Sequence, residues 1–408
     1  MAENDIYNSK RRYENFIQNY IKTKKILKIP EGKRKYYCKN KENFKYYDNF
    51  VDSFEVNDLS YIRRNRLFDT INLLFYYIDC DIKKAGVKES NYLIKELRTF
   101  ISPIRLKNYE KDIKRIGRIL FDGDIPEFFS KFKIRVDVSR QKAREDKLTY
   151  DEFRNIVNFF NGDKLMQSYL TLSFETLVRP QELFYTKIKD LEINGNYAII
   201  QISEHGKEGV KKLLCIDSFP YLMSMYNEHK FKNNPNALLF LNKYQNQLTP
   251  YAINKKIKKA LQKLEINKPI TCYSLKRFGI TYRRLIGDSD VEIQRLAGWK
   301  STRQMKVYDQ SNQDDIFRLQ LIKKGIIKDD KFSNQLPKTK PCDFCGELIG
   351  FAETNCPNCK RIVDKDLIKK ELIKQEELFK KLEAFNQFYE LHKEDFDNIL
   401  NKDKQKNL

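Results

Sequence analysis

Side chains that together could break and rejoin a phosphodiester lie in five short segments between residues 176 and 309 of this 408-residue chain. A tyrosine hydroxyl can attack a phosphodiester and keep the energy of the broken bond in a covalent phosphotyrosine. Arginine, lysine and indole N–H groups can stabilise the negative charge that builds on the phosphate oxygens in the transition state. Such a set could break and reform phosphodiester bonds without an external energy source. The candidates lie in five segments: TLVRPQEL (Arg179), HGKEGVKKLLCI (Lys207), TCYSLKRFGIT (Tyr273, Lys276 and Arg277), LAGWKS (Trp299) and MKVYD (Tyr308).

Four cysteines form a second candidate site, with the spacing Cys342-x-x-Cys345, ten residues, then Cys356-x-x-Cys359. Each pair presents two thiolates to one tetrahedral ion, the geometry that Zn²⁺ prefers. We therefore predict a structural Zn²⁺ that folds a zinc ribbon over residues 338–362, a segment too small for its own core. The other cysteines are scattered singly, which favours a reducing compartment over disulfides: Cys38, Cys80, Cys215 and Cys272.

Two stretches precede the phosphodiester segments. Residues 1–132 are basic and repeat apolar residues at helical spacing, which predicts an N-terminal helical domain that faces DNA. Residues 133–147 are charged and lack that period, so we predict a linker that lies along something acidic, for which the duplex backbone is the obvious candidate. Thr149 and Glu152 form a capping box that begins the next helix and a second domain.

The second domain is predicted to mix helices with a small sheet. An apolar helix from Met166 to Leu177 must end near Arg179, because Pro180 disfavours helical geometry in the residue before it and can begin a new helix. Two β-rich runs, Tyr197 to Ile202 and Lys212 to Ile216, flank the turn-rich HGKEG and predict a hairpin. Helices resume from Ala252. The expected fold class is mainly α with a small β-sheet (α+β).

The C-terminal part carries the cysteine pairs and a final helix from Leu367 to about Leu391, within an amphipathic tail that spans residues 363–408. The ribbon could bind DNA, a partner subunit or its own second domain. The helix either pairs with another protomer or packs onto the same chain.

The net charge of the chain limits the classes of partner that it can bind. Lysine and arginine exceed aspartate and glutamate by 78 − 56 = +22, which attracts nucleic acid or an anionic membrane surface. No run of about 18 apolar residues is present, and the N-terminus has no signal-peptide core or lipidation motif. We therefore predict a soluble, cytoplasmic protein that binds double-stranded DNA and has no membrane partner.

The phosphodiester segments, taken in order, resemble the successive motifs of the tyrosine recombinase family, the phage-type integrases. The resemblance covers about Leu148 to Ile322, and the N-terminal domain by architecture only. It implies a helical core-binding domain (1–132) and a mixed catalytic domain (148–326) that close around duplex DNA. It also implies four protomers on two recombination sites, 3′-phosphotyrosine links and a Holliday junction, with no metal or nucleotide in catalysis.

The resemblance implies a role for each matched residue. Arg179 would grip the scissile phosphate, and Lys207 would protonate the leaving 5′ oxygen. Tyr273 stands where the family usually has histidine, although some archaeal integrases resemble this chain in having tyrosine there. Trp299 stands at a second histidine position, where tryptophan is a familiar variant that donates its indole N–H. Tyr308, nine residues after Trp299, would be the nucleophile.

The chain departs from the family pattern at the second clamping arginine. Lys276 stands in that place and Arg277 follows it. Lys276 supplies charge without a planar fork, whereas Arg277 points about 100° around the helix and would serve only if that helix were rotated or distorted. Either Lys276 or Arg277 is the phosphate contact, or the site is inactive.

Two further assignments stay open. Lys211 and Lys212 compete with Lys207 in the same hairpin, and any of the three could only neutralise backbone phosphates. Glu182 in PQEL either orients a residue of the site or is a surface glutamate.

The biological task also has alternatives. Integration or excision of a mobile element comes first, and Xer-like chromosome dimer resolution second. A catalytically inactive DNA-binding regulator, or a zinc-ribbon nucleic-acid protein with an accidental resemblance, would be a different class. In the recombinase case, family analogy predicts that the segment after Tyr308 docks onto a neighbouring protomer.

Overall fold

The computed structural model describes residues 7–22, 36–121, 125–134, 145–202, 209–328 and 339–393. The chain divides into two compact units, Met1–Ala143 and Arg144–Leu408. The fold is mainly helical with two small antiparallel sheets, which confirms the predicted fold class. Among the described helices, none has the length and apolar character needed to cross a membrane.

The described part of the first unit is helical. A π turn, Ile17–Ile21, extends its first helix, and two 3₁₀ turns, Lys41–Lys45 and Ile82–Lys84, lie between later ones. The α-helices are α1 (Ser9–Phe16), α2 (Tyr46–Val56), α3 (Tyr61–Tyr77), α4 (Val87–Phe100), α5 (Pro103–Leu120) and α6 (Glu127–Ser130). The apolar residues that repeat at helical spacing in α3 are all buried, with α1 and α5 packed against that helix. This unit is therefore built on the period read from the sequence.

The second unit has ten helices and five strands among its described residues. They are α7 (Tyr150–Phe159), α8 (Lys164–Glu175), α9 (Pro180–Phe184), β1 (Leu191–Asn194), β2 (Tyr197–Ile202), β3 (Lys211–Cys215), α10 (Phe219–Asn227), α11 (Pro250–Lys263), α12 (Cys272–Ile286), α13 (Asp290–Ala297), α14 (Met305–Tyr308), α15 (Gln313–Lys323), β4 (Lys340–Pro341), β5 (Leu348–Ile349) and α16 (Lys365–Leu391). Short 3₁₀ turns, Ile188–Asp190 and Thr302–Gln304, precede β1 and α14.

Helix α8 is the centre of this unit. Every residue of α8 from Met166 to Glu175 is buried, and α10 and α12 pack against it. The contact with α12 is close because residue 279 is glycine: a Cβ there would lie 2.3 Å from the carbonyl oxygen of Phe174. A larger residue would push α12 away from α8. The glycine therefore sets the position of the helix that carries Tyr273, Lys276 and Arg277.

Local signals located most element boundaries. The capping box is present, since Thr149 Oγ1 accepts from the Glu152 backbone N–H at 3.1 Å and Glu152 Oε2 accepts from the Thr149 N–H at 2.7 Å. Helix α8 ends at Glu175, two residues earlier than predicted, and Leu177 has a left-handed φ of 54°. Pro180 begins α9 as expected.

The predicted hairpin is present with a corrected strand. β2 pairs antiparallel with β3, but β3 runs over Lys211–Cys215 instead of Lys212–Ile216. A third strand, β1, pairs with the other edge of β2. The sequence analysis missed β1 because it is only four residues long and has no buried residue to give an alternating pattern.

Candidate active site and metal centre

Tyr308 is the last residue of α14 and lines a cavity of about 130 Å³. Five of the residues singled out from the sequence line this cavity, together with Val307: Arg179, Tyr273, Lys276, Arg277 and Tyr308. They come from α12, α14 and the residue that caps α9. The fold therefore brings together side chains that are far apart in the sequence. Lys207 lies outside the described residues.

Arg179 is held at the edge of the cavity by the turn into α9. Its backbone is extended (φ −80°, ψ 146°), as the following Pro180 requires, and the side chain is 9% exposed. The Arg179 Nη2 atom lies 3.5 Å from the Tyr308 hydroxyl. A phosphate attacked by that hydroxyl would therefore lie within reach of the guanidinium.

Glu182 is a residue of this site and not a surface glutamate. It is 4% exposed, and its Oε2 accepts from the Arg179 backbone N–H at 2.9 Å. The same oxygen lies 2.8 Å from Lys211 Nζ, in an ion pair whose side chains are almost fully buried. Burial lowers the pKa of the Lys211 ammonium, and the Glu182 carboxylate opposes that shift. Lys211 is thus a cation tied to the Arg179 turn, at the start of β3.

Two residues of α12, Tyr273 and Lys276, line the same cavity as Tyr308. The Tyr273 hydroxyl accepts from Gln181 Nε2 at 2.8 Å, which ties α12 to α9. Lys276 is 2% exposed, and its Nζ lies 3.4 Å from the Ala297 carbonyl oxygen. The Lys276 ammonium also lies 5.4 Å from the Trp299 ring centroid and 5.6 Å from the Tyr308 ring centroid, within cation–π range of both. Lys276 therefore places a buried positive charge directly at Tyr308.

Arg277 has a different partner, although it also borders the cavity. Its Nη2 atom donates to Asp146 Oδ2 and, at 3.0 Å, to Ser274 Oγ. The neighbouring cations of α12 therefore diverge, with Lys276 beside the aromatic rings and Arg277 on a buried carboxylate.

Trp299 packs against Tyr308. Gly298, with a left-handed φ of 72°, ends α13, and the Trp299 backbone N–H donates to Gln294 O at 2.9 Å. The indole is 6% exposed, with its ring centroid 5.1 Å from that of Tyr308. Among the described residues, the buried indole N–H has no hydrogen-bond acceptor. Since buried donors are normally satisfied, this group is suited to an acceptor that arrives with a ligand.

The segment after Tyr308 is fastened to α12. Asp309 Oδ2 lies 2.5 Å from Arg284 Nη1, and the Gln310 backbone N–H donates to Thr281 Oγ1 at 2.9 Å. Gln310 Nε2 also donates to Asp146 Oδ1 at 2.7 Å. Tyr308 is thereby anchored within its own unit. Sequence reasoning missed Asp146 and Gln310, because neither belongs to a motif.

The four clustered cysteines can hold one metal ion. All four Sγ atoms lie within 4.8 Å of one another, with Cys342 and Cys359 3.7 Å apart and Cys345 and Cys356 3.5 Å apart. Zinc–sulfur bonds of about 2.3 Å in a tetrahedron place the sulfurs about 3.8 Å apart, which these distances fit. A backbone hydrogen bond at Glu347 lowers the pKa of Cys345 to about 7, which favours the thiolate that binds metal.

The cysteine-bearing segment packs on the α7, α8 and α10 side of its own unit. The Ala352 backbone N–H donates to the Tyr221 hydroxyl at 2.8 Å, and Arg154 pairs with Asp364 at 2.6 Å. Gly350 allows this approach, since a Cβ there would lie 2.3 Å from the Tyr221 ring. Of the three binding partners left open by the sequence, the structure thus shows the segment's own unit.

Phe351 extends this contact into the aromatic core. Its ring lies 6.1 Å from Phe153 and from Tyr150, and 5.7 Å from Tyr221, measured between centroids. Phe153 in turn lies 5.4 Å from Phe278 of α12. A continuous set of aromatic contacts therefore joins the cysteine segment to the helix that carries Lys276.

Helix α16 follows this segment and exposes its apolar side chains. Eight of them are more than half exposed, so this part of the helix is not packed onto the described residues of the same chain: Leu372, Ile373, Leu378, Phe379, Leu382, Phe385, Phe388 and Leu391.

Comparison with known proteins identifies the family of one domain of the chain. Residues 146–315 match the model of the phage integrase family. No curated protein matches the chain. Among solved structures it is similar to a lambda integrase tetramer bound to a Holliday junction, with 14% identity, a TM-score of 0.52, and coverage of 66% of this chain and 78% of that one.

Two further structures share the fold. The Tn1549 transposon integrase in complex with transposon right end DNA is 14% identical, with a TM-score of 0.52, and covers 68% of this chain and 98% of that one. The XerH site-specific recombinase bound to palindromic difH substrate is 12% identical, with a TM-score of 0.54. The match covers 79% of this chain and 97% of the XerH chain. Residues 146–315 therefore form a phage integrase family domain, and the fold of the chain is that of the tyrosine recombinases.

Proposed function

We propose that this chain is a site-specific DNA recombinase that cleaves and rejoins DNA strands through a 3′-phosphotyrosine at Tyr308. The observation that carries the proposal is the cavity in which the Tyr308 hydroxyl lies 3.5 Å from Arg179 and the Tyr308 ring lies beside Lys276. A nucleophile surrounded by cationic donors is what attack on a phosphodiester requires. The match of residues 146–315 to the phage integrase family supports the same chemistry.

The reaction conserves phosphodiester energy. The Tyr308 oxygen attacks the phosphorus and gives up its phenolic proton to water, a tyrosine–phosphate bond forms, and the bond to the 5′ oxygen breaks. A proton must reach that leaving oxygen, and Lys207 is its proposed donor. Attack by the 5′ hydroxyl of another strand then reverses these steps and restores Tyr308. No nucleotide is consumed.

The charge on the transferring phosphate needs several donors. We assign Arg179 as one clamp, with Lys276 or Arg277 as the other, and Trp299 as an N–H donor. Tyr273, tied to Gln181, occupies the place usually held by histidine. Glu182 supports Arg179 by accepting from its backbone N–H.

Domain roles follow from the family resemblance. We assign residues 1–132 to a core-binding domain, 133–147 to a linker and 148–326 to the catalytic domain. The earlier part of the linker would follow the DNA backbone, whereas Asp146 and Lys147 at its end are packed in the second unit. Residues 338–362 would form a zinc ribbon with Cys342, Cys345, Cys356 and Cys359 as ligands of a structural Zn²⁺, followed by the amphipathic helical segment 363–408. The ion would fold this segment and take no part in strand transfer.

We further propose that four protomers assemble on two double-stranded recombination sites. The lambda integrase tetramer on a Holliday junction supports such an assembly. Integration or excision of a mobile element is the favoured task, with the Tn1549 transposon integrase as a structural precedent. Xer-like chromosome dimer resolution is the alternative within the same chemistry, and XerH is its precedent.

A covalent-capture experiment tests the chemistry. Duplexes that the full chain binds are first selected from a randomised pool by mobility shift. A single nick is then placed at each position of the selected duplex, so that a cleaved fragment diffuses away and the adduct is trapped. Denaturing gels compare wild type with Tyr308→Phe.

The two outcomes separate the function classes. A protein–DNA adduct with wild type and none with Tyr308→Phe, at unchanged DNA affinity, supports the recombinase. Tight binding without an adduct at any nick position makes the chain a catalytically inactive DNA-binding regulator, and the Lys276 departure would then be disabling.

A further inference from the structure

Asp146 joins three parts of the second unit. It is 6% exposed, and one carboxylate oxygen accepts from Arg277 and, at 2.9 Å, from Ser274 Oγ, both on α12. The other oxygen accepts from Gln310 Nε2 at 2.7 Å. Gln310 follows Tyr308 by two residues. A single buried carboxylate therefore connects α12 to the segment that ends in the nucleophile.

The carboxylate is ionised in this setting. Burial alone would raise the pKa of Asp146, but the hydrogen bonds from Arg277 and Ser274 outweigh it and hold the pKa below its usual value. A charged, buried and multiply bonded carboxylate holds its partners more rigidly than an exposed one.

The pairing also limits what Arg277 can do. A guanidinium grips a phosphate through two N–H groups, and both of its two-pronged edges include one hydrogen of Nη2. In this structure Nη2 donates to Asp146 and to Ser274. Arg277 therefore has no complete fork left for a phosphate while this pair holds.

Lys147, the next residue, strengthens the same connection. Its Nζ lies 2.6 Å from Asp315 Oδ2, in the first turn of α15. Residues 146 and 147 thus bind both ends of the stretch from Gln310 to Asp315. The nucleophile segment is held by α12 on one side and by the beginning of the second unit on the other.

We propose that Asp146 is a positioning residue that holds Tyr308 against α12 through Gln310, that Arg277 neutralises this carboxylate, and that Lys276 is the second phosphate contact. The inference rests on the proposed recombinase function. It resolves the choice between Lys276 and Arg277 through their partners. Arg277 acts on the reaction only through Asp146.

A first test removes the tether to the nucleophile. Gln310→Ala is compared with Gln304→Ala, the same change at an exposed site on the same segment. We expect Gln310→Ala to form the adduct on the selected nicked duplex about 10-fold or more slowly, with DNA affinity unchanged, because a displaced nucleophile loses its alignment. Gln304→Ala should behave as wild type. Equal adduct rates for the two variants would overturn the inference.

A second test distinguishes whether Arg277 neutralises Asp146 or binds the phosphate. Arg277→Gln leaves the buried Asp146 carboxylate without its partner, which destabilises the site. Adding Asp146→Asn removes that charge, so the double variant should form the adduct about 5-fold or more faster than Arg277→Gln alone. If Arg277 gripped the phosphate, the double variant would be no faster, and the assignment of Lys276 would be wrong.

A third measurement does not depend on cleavage. Trp299 is the chain's only tryptophan and its ring lies against Tyr308, so its fluorescence reports on this site. Gln310→Ala should increase acrylamide quenching of Trp299 relative to Gln304→Ala, in protein that unfolds at the wild-type temperature. Unchanged quenching would contradict the proposal that Asp146 positions Tyr308 through Gln310. Failure of wild type to form any adduct would instead reject the recombinase function.

Discussion

Neighbouring side chains on a helix are separated by about 100°, and this angle gives two adjacent cations of α12 different surroundings. Lys276 points to the rings of Trp299 and Tyr308, whereas Arg277 reaches Asp146. Because Gly279 holds α12 close against α8, the helix has little freedom to rotate and exchange them. The position of a cation on the helix, more than its chemical type, decides which one meets the nucleophile.

Trp299 supports a prediction at this scale. Replacing it with phenylalanine keeps an aromatic ring beside Tyr308 and removes the indole N–H, which has no acceptor among the described residues. If that N–H donates to the phosphate in the transition state, adduct formation should slow by about 100-fold, as for loss of one such donor in other enzymes. Single-turnover adduct formation on the selected nicked duplex measures this.

Its control concerns binding. DNA affinity of Trp299→Phe should stay within about twofold of wild type, because a donor used only in the transition state does not contribute to ground-state binding. An unchanged adduct rate would mean that Trp299 is a packing residue only.

At the scale of elements, two opposite faces of α12 make different contacts. One carries Tyr273 and Lys276, and the opposite one carries Phe278, which packs on Phe153 and Phe174. Phe351 of the cysteine segment continues that aromatic packing. The cysteine segment is therefore a second support for the helix that carries the site.

The ribbon contact can be tested without touching a metal ligand. Phe351→Ala should lower the Tm of the full chain by about 5 °C, because it removes aromatic burial worth about 2 kcal/mol between the ribbon and α7. Phe344→Ala is the matched control, since Phe344 lies in the same segment with 56% of its surface exposed. Calorimetry and the zinc content of each purified variant are the measurements.

Metal removal should act through the same contact. Chelation of the bound ion should lower the Tm of wild type more than that of Phe351→Ala, because the variant has already lost part of the coupling. An equal shift in both proteins would mean that the cysteine segment folds independently of the rest of the second unit.

At the scale of the whole molecule, the net charge is the property that should contribute most to DNA affinity. A surplus of +22 predicts that much of the DNA affinity comes from release of counterions. We expect affinity for the selected duplex to fall by about 10³-fold between 50 and 200 mM salt, as for proteins that neutralise six or more phosphates. Fluorescence anisotropy at several salt concentrations measures the slope.

The same titration has a clear negative result. A change of less than about tenfold would mean that few phosphates are neutralised, and the surplus charge would then need another role. Tyr308→Phe serves as the control, because loss of a hydroxyl leaves the net charge and therefore the slope unchanged.

Local patterns in the sequence were enough for much of the architecture. The apolar period of α3, the Thr149 capping box, the break at Pro180 and the hairpin all depend on neighbours within a few residues, so the sequence alone predicts them. The CxxC pairs are equally local, because two thiolates of one turn already face one ion. The ordered motifs were sufficient to indicate the family.

Tertiary structure decided what the site residues touch. Asp146 lies 131 residues before Arg277 and has no motif of its own, so only the packing of α12 on the start of the second unit brings the two together. Docking of the ribbon on Tyr221 was likewise one of three open alternatives until Gly350 and Phe351 were seen against that side of the unit. Short-range rules determine elements and metal knuckles, whereas contacts between distant segments depend on how the core packs, and no local pattern encodes that.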